Sequence, residues 1–189
     1  MKIIFAQGNP EPDYAKTRHN VGFEVLNQLA ENLEAGWSNK PRFDALIAEV
    51  RIGNEKVLLV KPTTYYNETG KSARRLVDFY KIDTSKDLLV IHDDLALPFG
   101  SIRVRGQGSD AGNNGVKSLN SHLDHHYTRI RVGILNEFRD KMGDTDFVVS
   151  NFRNAETRQL RKSVIPQAIE IINEFCTGTT KHTSYNVIL

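Results

Sequence analysis

The chain has 189 residues, 39% hydrophobic and 25% charged, with a formal net charge of +2. These values fit one ordinary folded domain and exclude a disordered chain or a strongly polybasic one. A lone cysteine, Cys176, excludes an intrachain disulfide and a cysteine-built metal site. No signal-peptide pattern opens the chain and no apolar run approaches the roughly 18–20 residues that span a bilayer, so a cytoplasmic protein without membrane contact is expected.

Residues 2–7 are apolar enough for a buried strand, and residues 8–19 follow as a polar loop. Val21, Val25, Leu26, Leu29 and Leu33 then recur at helical spacing, which predicts an amphipathic helix over 21–33. Gly36 and Pro41 mark a break. Two strand-like runs, 43–52 and 56–61, flank Gly53-Asn54 and predict a β-hairpin. A helix is expected over 70–80, with Ala73, Leu76, Val77 and Tyr80 on one side. Leu88-Leu89-Val90-Ile91 is an unbroken apolar run, suited to a central strand covered on both faces, and it ends in His92-Asp93-Asp94. Pro98 and Gly100 predict a turn. Residues 102–105 predict a strand on which Arg103 and Arg105 share a face, because strand side chains alternate.

Residues 106–115 form a glycine-rich loop, and Asn114 is a candidate cap for a helix over 116–123. A further strand is expected over 129–134, a polar, mobile connection over 141–146, and a long helix over 155–175. Residues 177–189 show little periodicity and are expected to fray. Strands alternate with helices, which predicts an α/β fold. The hairpin rules out an all-parallel sheet. The expected architecture is a single domain over 1–189, a mixed twisted sheet with helices on both faces.

Asparagine, aspartate or histidine follows four strand-like segments: Asn9 with His19, then Asn67, then His92-Asp93, then Asn113-Asn114. Loops at the same strand ends of an open sheet converge on one crevice. Asparagine both donates and accepts without charge, which suits a neutral peptide or amide backbone. His19 and Asp93 fit a base and its orienting carboxylate, since imidazole titrates near neutrality and a carboxylate on one ring nitrogen frees the other to take a proton. A capping histidine and a helix-start aspartate are the competing reading. No Gly-x-Ser-x-Gly elbow is present and Cys176 lies far along a peripheral helix, so the nucleophile would be water.

Other patterns are weaker. His122 and His126 have a metal-ligand spacing without a third ligand. Gly106-Gln107-Gly108-Ser109-Asp110-Ala111 matches a dinucleotide pattern, but no helix starts inside it, and a nucleotide-dependent enzyme is the rival it suggests. Arg103, Arg105, Lys117 and Arg131 lie on elements beside that loop and could hold phosphates.

Taken together, these motifs resemble bacterial-type peptidyl-tRNA hydrolase. Its carriers here are Gly8-Asn9-Pro10, Tyr14, residues 17–22, residues 61–70, residues 92–95, residues 97–100 and residues 112–115, in that order. The resemblance implies hydrolysis of the ester between a peptide and the terminal ribose of tRNA, with peptidyl-tRNA as partner and without metal or cofactor; a monomer is the simplest expectation. His19 would activate water, Asp93 would support it, and Asn9 would read the blocked α-amino group. Asn67 and Asn114 would hold the peptide backbone or acceptor end. Tyr14 and Tyr65 would stack on the terminal base, and the four cations would bind phosphates. Asn113 departs from a common histidine, and Ala96 from a common aspartate. A non-catalytic RNA-binding protein of the same fold is the alternative the resemblance allows.

Overall fold

The strand β1 (Lys2–Ala6) enters the molecule with Ile4 and Ala6 in one hydrophobic cluster and Ile3 and Phe5 in another. This two-sided burial is the direct outcome of strand alternation, and it recurs along the chain. The computed structural model describes residues 1–187. After β1 come α1 (Val21–Asn32), β2 (Ser38–Lys40), β3 (Ala45–Ile52), β4 (Glu55–Pro62), α2 (Thr69–Tyr80), α3 (Thr84–Asp87), β5 (Leu88–Pro98) and β6 (Ser101–Arg105). The rest is α4 (Asn114–His122), β7 (Thr128–Leu135), α5 (Arg139–Met142), α6 (Asp144–Val148), α7 (Asn154–Gln159), α8 (Ile165–Thr177) and β8 (Ser184–Asn186).

One sheet takes all eight strands in the order β2-β3-β4-β1-β5-β7-β6-β8. β1 pairs in parallel with β4 and β5, and β5 with β7, while the β3–β4, β6–β7 and β6–β8 pairs are antiparallel. The expected mixed sheet with helices on both faces is therefore present: α1 and α8 cover one side, α2 and α4 the other. The chain leaves β1 toward β4 on one side and returns to β5 on the other. That reversal makes the carboxyl end of β1 a switch point, where open sheets leave a crevice.

Several local expectations give way. His92, Asp93 and Asp94 are not in a loop but inside β5, which continues to Pro98. β1 stops opposite Ile91, whereas β7 keeps pairing with His92, Asp93 and Asp94, so the strand runs on past its neighbour with one edge open. The connection over 141–146 is not loose: it holds α5 and α6, with Phe147 fully buried. The long helix is continuous but widens to a π-turn over Leu160–Val164, just before Pro166. A proline ring clashes with the carbonyl four residues back, and the wider turn relieves it. The segment after Thr177 does not fray where it is described: β8 pairs with β6 and forms the edge of the sheet. Ile188 and Leu189 lie outside the described residues.

Candidate active site

Two close approaches bring the site together. A Cβ on Gly22, at the start of α1, would lie 2.8 Å from the Ile91 carbonyl oxygen, so α1 can press against β5 only with glycine there. His19, in a 3₁₀ turn just before α1 (Arg18–Asn20), is thereby set against β5 two residues beyond Ile91. A Cβ on Gly115 would come within 2.5 Å of the Tyr66 ring, so the start of α4 closes on Tyr66 in the same way.

His19 Nδ1 and Asp93 Oδ2 are 2.9 Å apart, the pair expected from the sequence. Asp93 is buried. Burial alone would push its carboxyl up, but the His19 charge and the hydrogen bonds from His19 and Tyr66 outweigh it and hold the group below its ordinary value. An ionised carboxylate only accepts, so Nδ1 must be the donor and Nε2 carries the lone pair. His92, also buried, bonds the Asp93 carbonyl oxygen through its own Nδ1 at 2.7 Å. Burial pushes the His92 ring's pKa down, which keeps it neutral.

The asparagines divide into two sets. Asn9 is half-buried and tightly held: its N–H donates to Asn20 Oδ1 at 2.8 Å, its carbonyl accepts from Asn20 Nδ2 at 2.9 Å, and its Oδ1 accepts from the Tyr66 N–H at 3.0 Å. That leaves Asn9 Nδ2 as its donor. Asn67, in a 3₁₀ turn (Tyr66–Glu68) before α2, and Asn114, at the start of α4, are exposed. Asn114 is not the cap of α4. Asn113 is: its Oδ1 accepts from the Val116 N–H at 3.0 Å, while its Nδ2 donates to the Tyr66 hydroxyl at 2.9 Å. A cleft of about 430 Å³ opens over this group, walled by His19, Asp93, Asn113, Asn114, Val148 and Val149. Asn9 and Asn67 lie outside that wall, and so do Tyr14 and Tyr65, of which Tyr65 is 65% exposed.

The basic residues lie on β6 and β7. Arg103 stands opposite Arg131, and Arg105 opposite Arg129. Ile102, Val104, Ile130 and Val132 fill the core on the α1–α8 face, so all four guanidinium groups share the other face. Like charges directly across a ladder destabilise it, so this arrangement opposes stability and favours an anion. The four are not equivalent. Arg131 pairs with buried Asp94, Nε to Oδ2 at 2.6 Å. Arg129, absent from the sequence-based set, is buried and donates to the Ser109 carbonyl at 2.8 Å, which anchors the glycine loop. Among the described residues Arg103 and Arg105, both half-exposed, reach Ser184 Oγ and main-chain carbonyls, and Lys117 is exposed on α4.

Sequence reasoning also passes over Tyr66, Asn20, Arg18 and Glu156. Arg18 is buried and donates to both Glu156 oxygens, at 2.9 and 2.8 Å. Its signal is faint: a charge beside His19, whose partner lies 138 residues away.

Residues 3–187 match the family model described as peptidyl-tRNA hydrolase. A peptidyl-tRNA hydrolase of Mycoplasma mycoides is 40% identical over 181 residues, 95% of each chain. One from Ligilactobacillus salivarius is 42% identical over 161 residues, 85% of each. The crystal structure of peptidyl-tRNA hydrolase from Acinetobacter baumannii superposes with a TM-score of 0.83 at 29% identity, covering 94% of this chain and 89% of that one. With the site geometry and these matches spanning nearly its whole length, the chain belongs to the peptidyl-tRNA hydrolase family.

Proposed function

We propose that the protein hydrolyses the ester joining a peptide to the terminal ribose of tRNA, with His19 as general base. The observation that carries this is the His19–Asp93 contact of 2.9 Å at the wall of the cleft. Asp93 fixes the tautomer, and His19 Nε2 takes a proton from water as the water oxygen attacks the ester carbonyl carbon. The tetrahedral intermediate collapses, the ribose oxygen leaves with the electron pair, and the imidazolium returns the proton to it. The products are a peptide carboxylic acid and a tRNA with a free terminal hydroxyl. An ester is an activated acyl group, so one base and a few neutral donors suffice. Asn114 in the cleft wall, with Asn9 and Asn67 outside it, is proposed to hold the peptide and the developing oxyanion, a contribution of about 3 kcal/mol for each well-aimed group.

Among the described residues Asn9 Nδ2 donates to no partner, and its backbone is held at both ends by Asn20. A rigid single donor suits recognition of an acylated α-amino group, whose carbonyl accepts, over a free ammonium, which only donates. The wild-type protein is expected to hydrolyse N-acetyl-aminoacyl-tRNA far faster than the unblocked form. Asn9→Ala should narrow that ratio by about tenfold. An unchanged ratio removes Asn9 from recognition.

Arg103, Arg105, Lys117 and Arg131 are proposed to hold acceptor-stem phosphates, with Tyr14 and Tyr65 offering ring faces to the terminal base. Binding of tRNA should then weaken with salt, log Kd changing by about 3 per decade of salt for three or four neutralised phosphates. Arg103→Ala and Arg105→Ala should each lower that slope by about one. Arg131→Ala should lower it less, because Asp94 already neutralises that guanidinium. Salt-independent binding would count against this face. A non-catalytic RNA-binding protein would show the same salt slope and fail the hydrolysis assay.

A further inference from the structure

We infer that Tyr66 is a positioning residue for the hydrolysis: its ring and hydroxyl fix the His19–Asp93 pair and set the pH range in which that pair works. The inference rests on the reading of His19 as the base. Tyr66 touches His19, Asp93, Asn9 and Asn113. Its ring lies flat on the His19 imidazole, centroids 3.6 Å apart and planes 12° from parallel. Its hydroxyl donates to Asp93 Oδ1 at 2.7 Å, while His19 occupies Oδ2 of the same carboxylate. Its N–H donates to Asn9 Oδ1 at 3.0 Å. Its phenol oxygen accepts from Asn113 Nδ2 at 2.9 Å.

A core tyrosine needs only one partner for its hydroxyl. Here that partner is the carboxylate on which the imidazole depends, and the ring is also that imidazole's stacking surface. Burial, followed by the Asp93 charge and hydrogen bond, pushes the phenol well above its ordinary value, so it stays protonated and is a permanent donor. A donor on Oδ1 draws negative charge away from Oδ2 and weakens the hold of Asp93 on an imidazolium. The stack restrains rotation of the imidazole and keeps Nδ1 on Asp93. The other titratable groups around the pair are His92 and Asp94 on β5, Asp110 in the loop before α4, and Arg139 and Asp144 on α5 and α6. None of them is altered by substitution at Tyr66, so they form a constant background.

The test compares Tyr66→Phe with Tyr66→Leu, by steady-state kinetics on N-acetyl-aminoacyl-tRNA across about pH 5 to 9 and by NMR titration of the His19 ring. Tyr66→Phe keeps the stack and loses the hydroxyl. It should lower kcat about tenfold with KM within about twofold. The acid limb of its rate profile, and the His19 ring titration, should move up by about half a pH unit. Tyr66→Leu loses the stack as well and should fall further in kcat. Asn113→Ser retains a side chain able to cap α4 but removes the second donor, and should move the same limb in the same direction even if Tyr66→Phe folds poorly. An unmoved acid limb in the Phe and Ser variants, or equal kcat for Phe and Leu, would overturn the inference. The ring titration does not depend on turnover. If His19→Ala remained active the base reading would fall, while the titration in Tyr66→Phe would still decide the coupling.

Discussion

Asp93→Asn is expected to lower kcat by about 10⁴-fold with little change in the fold, a larger loss than its one-atom difference suggests. The reason lies in the other carboxylate oxygen. Tyr66 donates to Oδ1 at 2.7 Å and Asn113 Nδ2 lies 3.4 Å from it, so that position accepts only an acceptor. An asparagine at 93 must therefore place its carbonyl there and turn its amide toward His19. His19 Nδ1 becomes the acceptor, the proton moves to Nε2, and the ring faces water with the wrong nitrogen protonated. His19→Ala removes the base outright and should cost about 10²–10⁴-fold. It also leaves Asp93 with fewer donors, a destabilisation of about 1–3 kcal/mol, which thermal melting separates from the catalytic loss. Activity of either variant within about tenfold of wild type would remove the pair from the mechanism.

The sheet was legible because its information is local. Ile3 and Phe5 go to one face, Ile4 and Ala6 to the other, and Leu88 and Val90 separate from Leu89 and Ile91 in the same way. Each split follows from alternation within one segment. What was not legible depends on partners distant in sequence. β2 is three exposed polar residues, a strand only because it lies beside β3. β8 has no apolar pattern and exists because β6 offers an open edge. The end of β5 is hidden for the opposite reason: hydropathy falls at His92, but β7 keeps supplying hydrogen bonds beyond it.

The site divides along the same line. His19 and Asp93 carry a signal in residue type, open to a capping or helix-start reading until the fold brings them to 2.9 Å. Tyr66 sits between Tyr65 and Asn67, both singled out, yet only the positions of β5 and α4 reveal where its hydroxyl goes. Asn113 and Asn114 look alike in sequence. Cap geometry turns the first inward and leaves the second exposed. Arg129 and Arg131 have the same spacing and charge, but one anchors a loop from within and the other meets Asp94.

Glu156→Ala should destabilise the protein by about 3–5 kcal/mol, a large part of the stability of an ordinary domain. Arg18 is 2% exposed, with its guanidinium carbon 4.5 Å from the Phe147 ring centroid and 4.9 Å from that of Phe152. Those rings shape the pocket but cannot replace two charged hydrogen bonds, so truncation leaves a buried cation unpaired. Glu156 also accepts from Asn136 Nδ2 at 2.6 Å and the Arg153 N–H at 2.9 Å. Burial alone would push its carboxyl up, but the bonds from Arg18, Arg153 and Asn136 hold it below the ordinary value. A carboxyl depressed on folding adds stability that is fully present above its unfolded value, about 4.3, and is lost as pH falls through the lower folded one. The gap between wild type and Glu156→Ala, measured by urea unfolding, should therefore be widest near pH 7 and narrow below about pH 4. A gap independent of pH would show that packing, not charge, is at stake. The same substitution should lower kcat. Arg18 adjoins His19, and its N–H donates to the Ser150 carbonyl at 3.0 Å, just past Val148 and Val149 in the cleft wall. Loosening that clamp frees the base and the wall together, so a variant that lost stability but kept full kcat would separate the clamp from the chemistry.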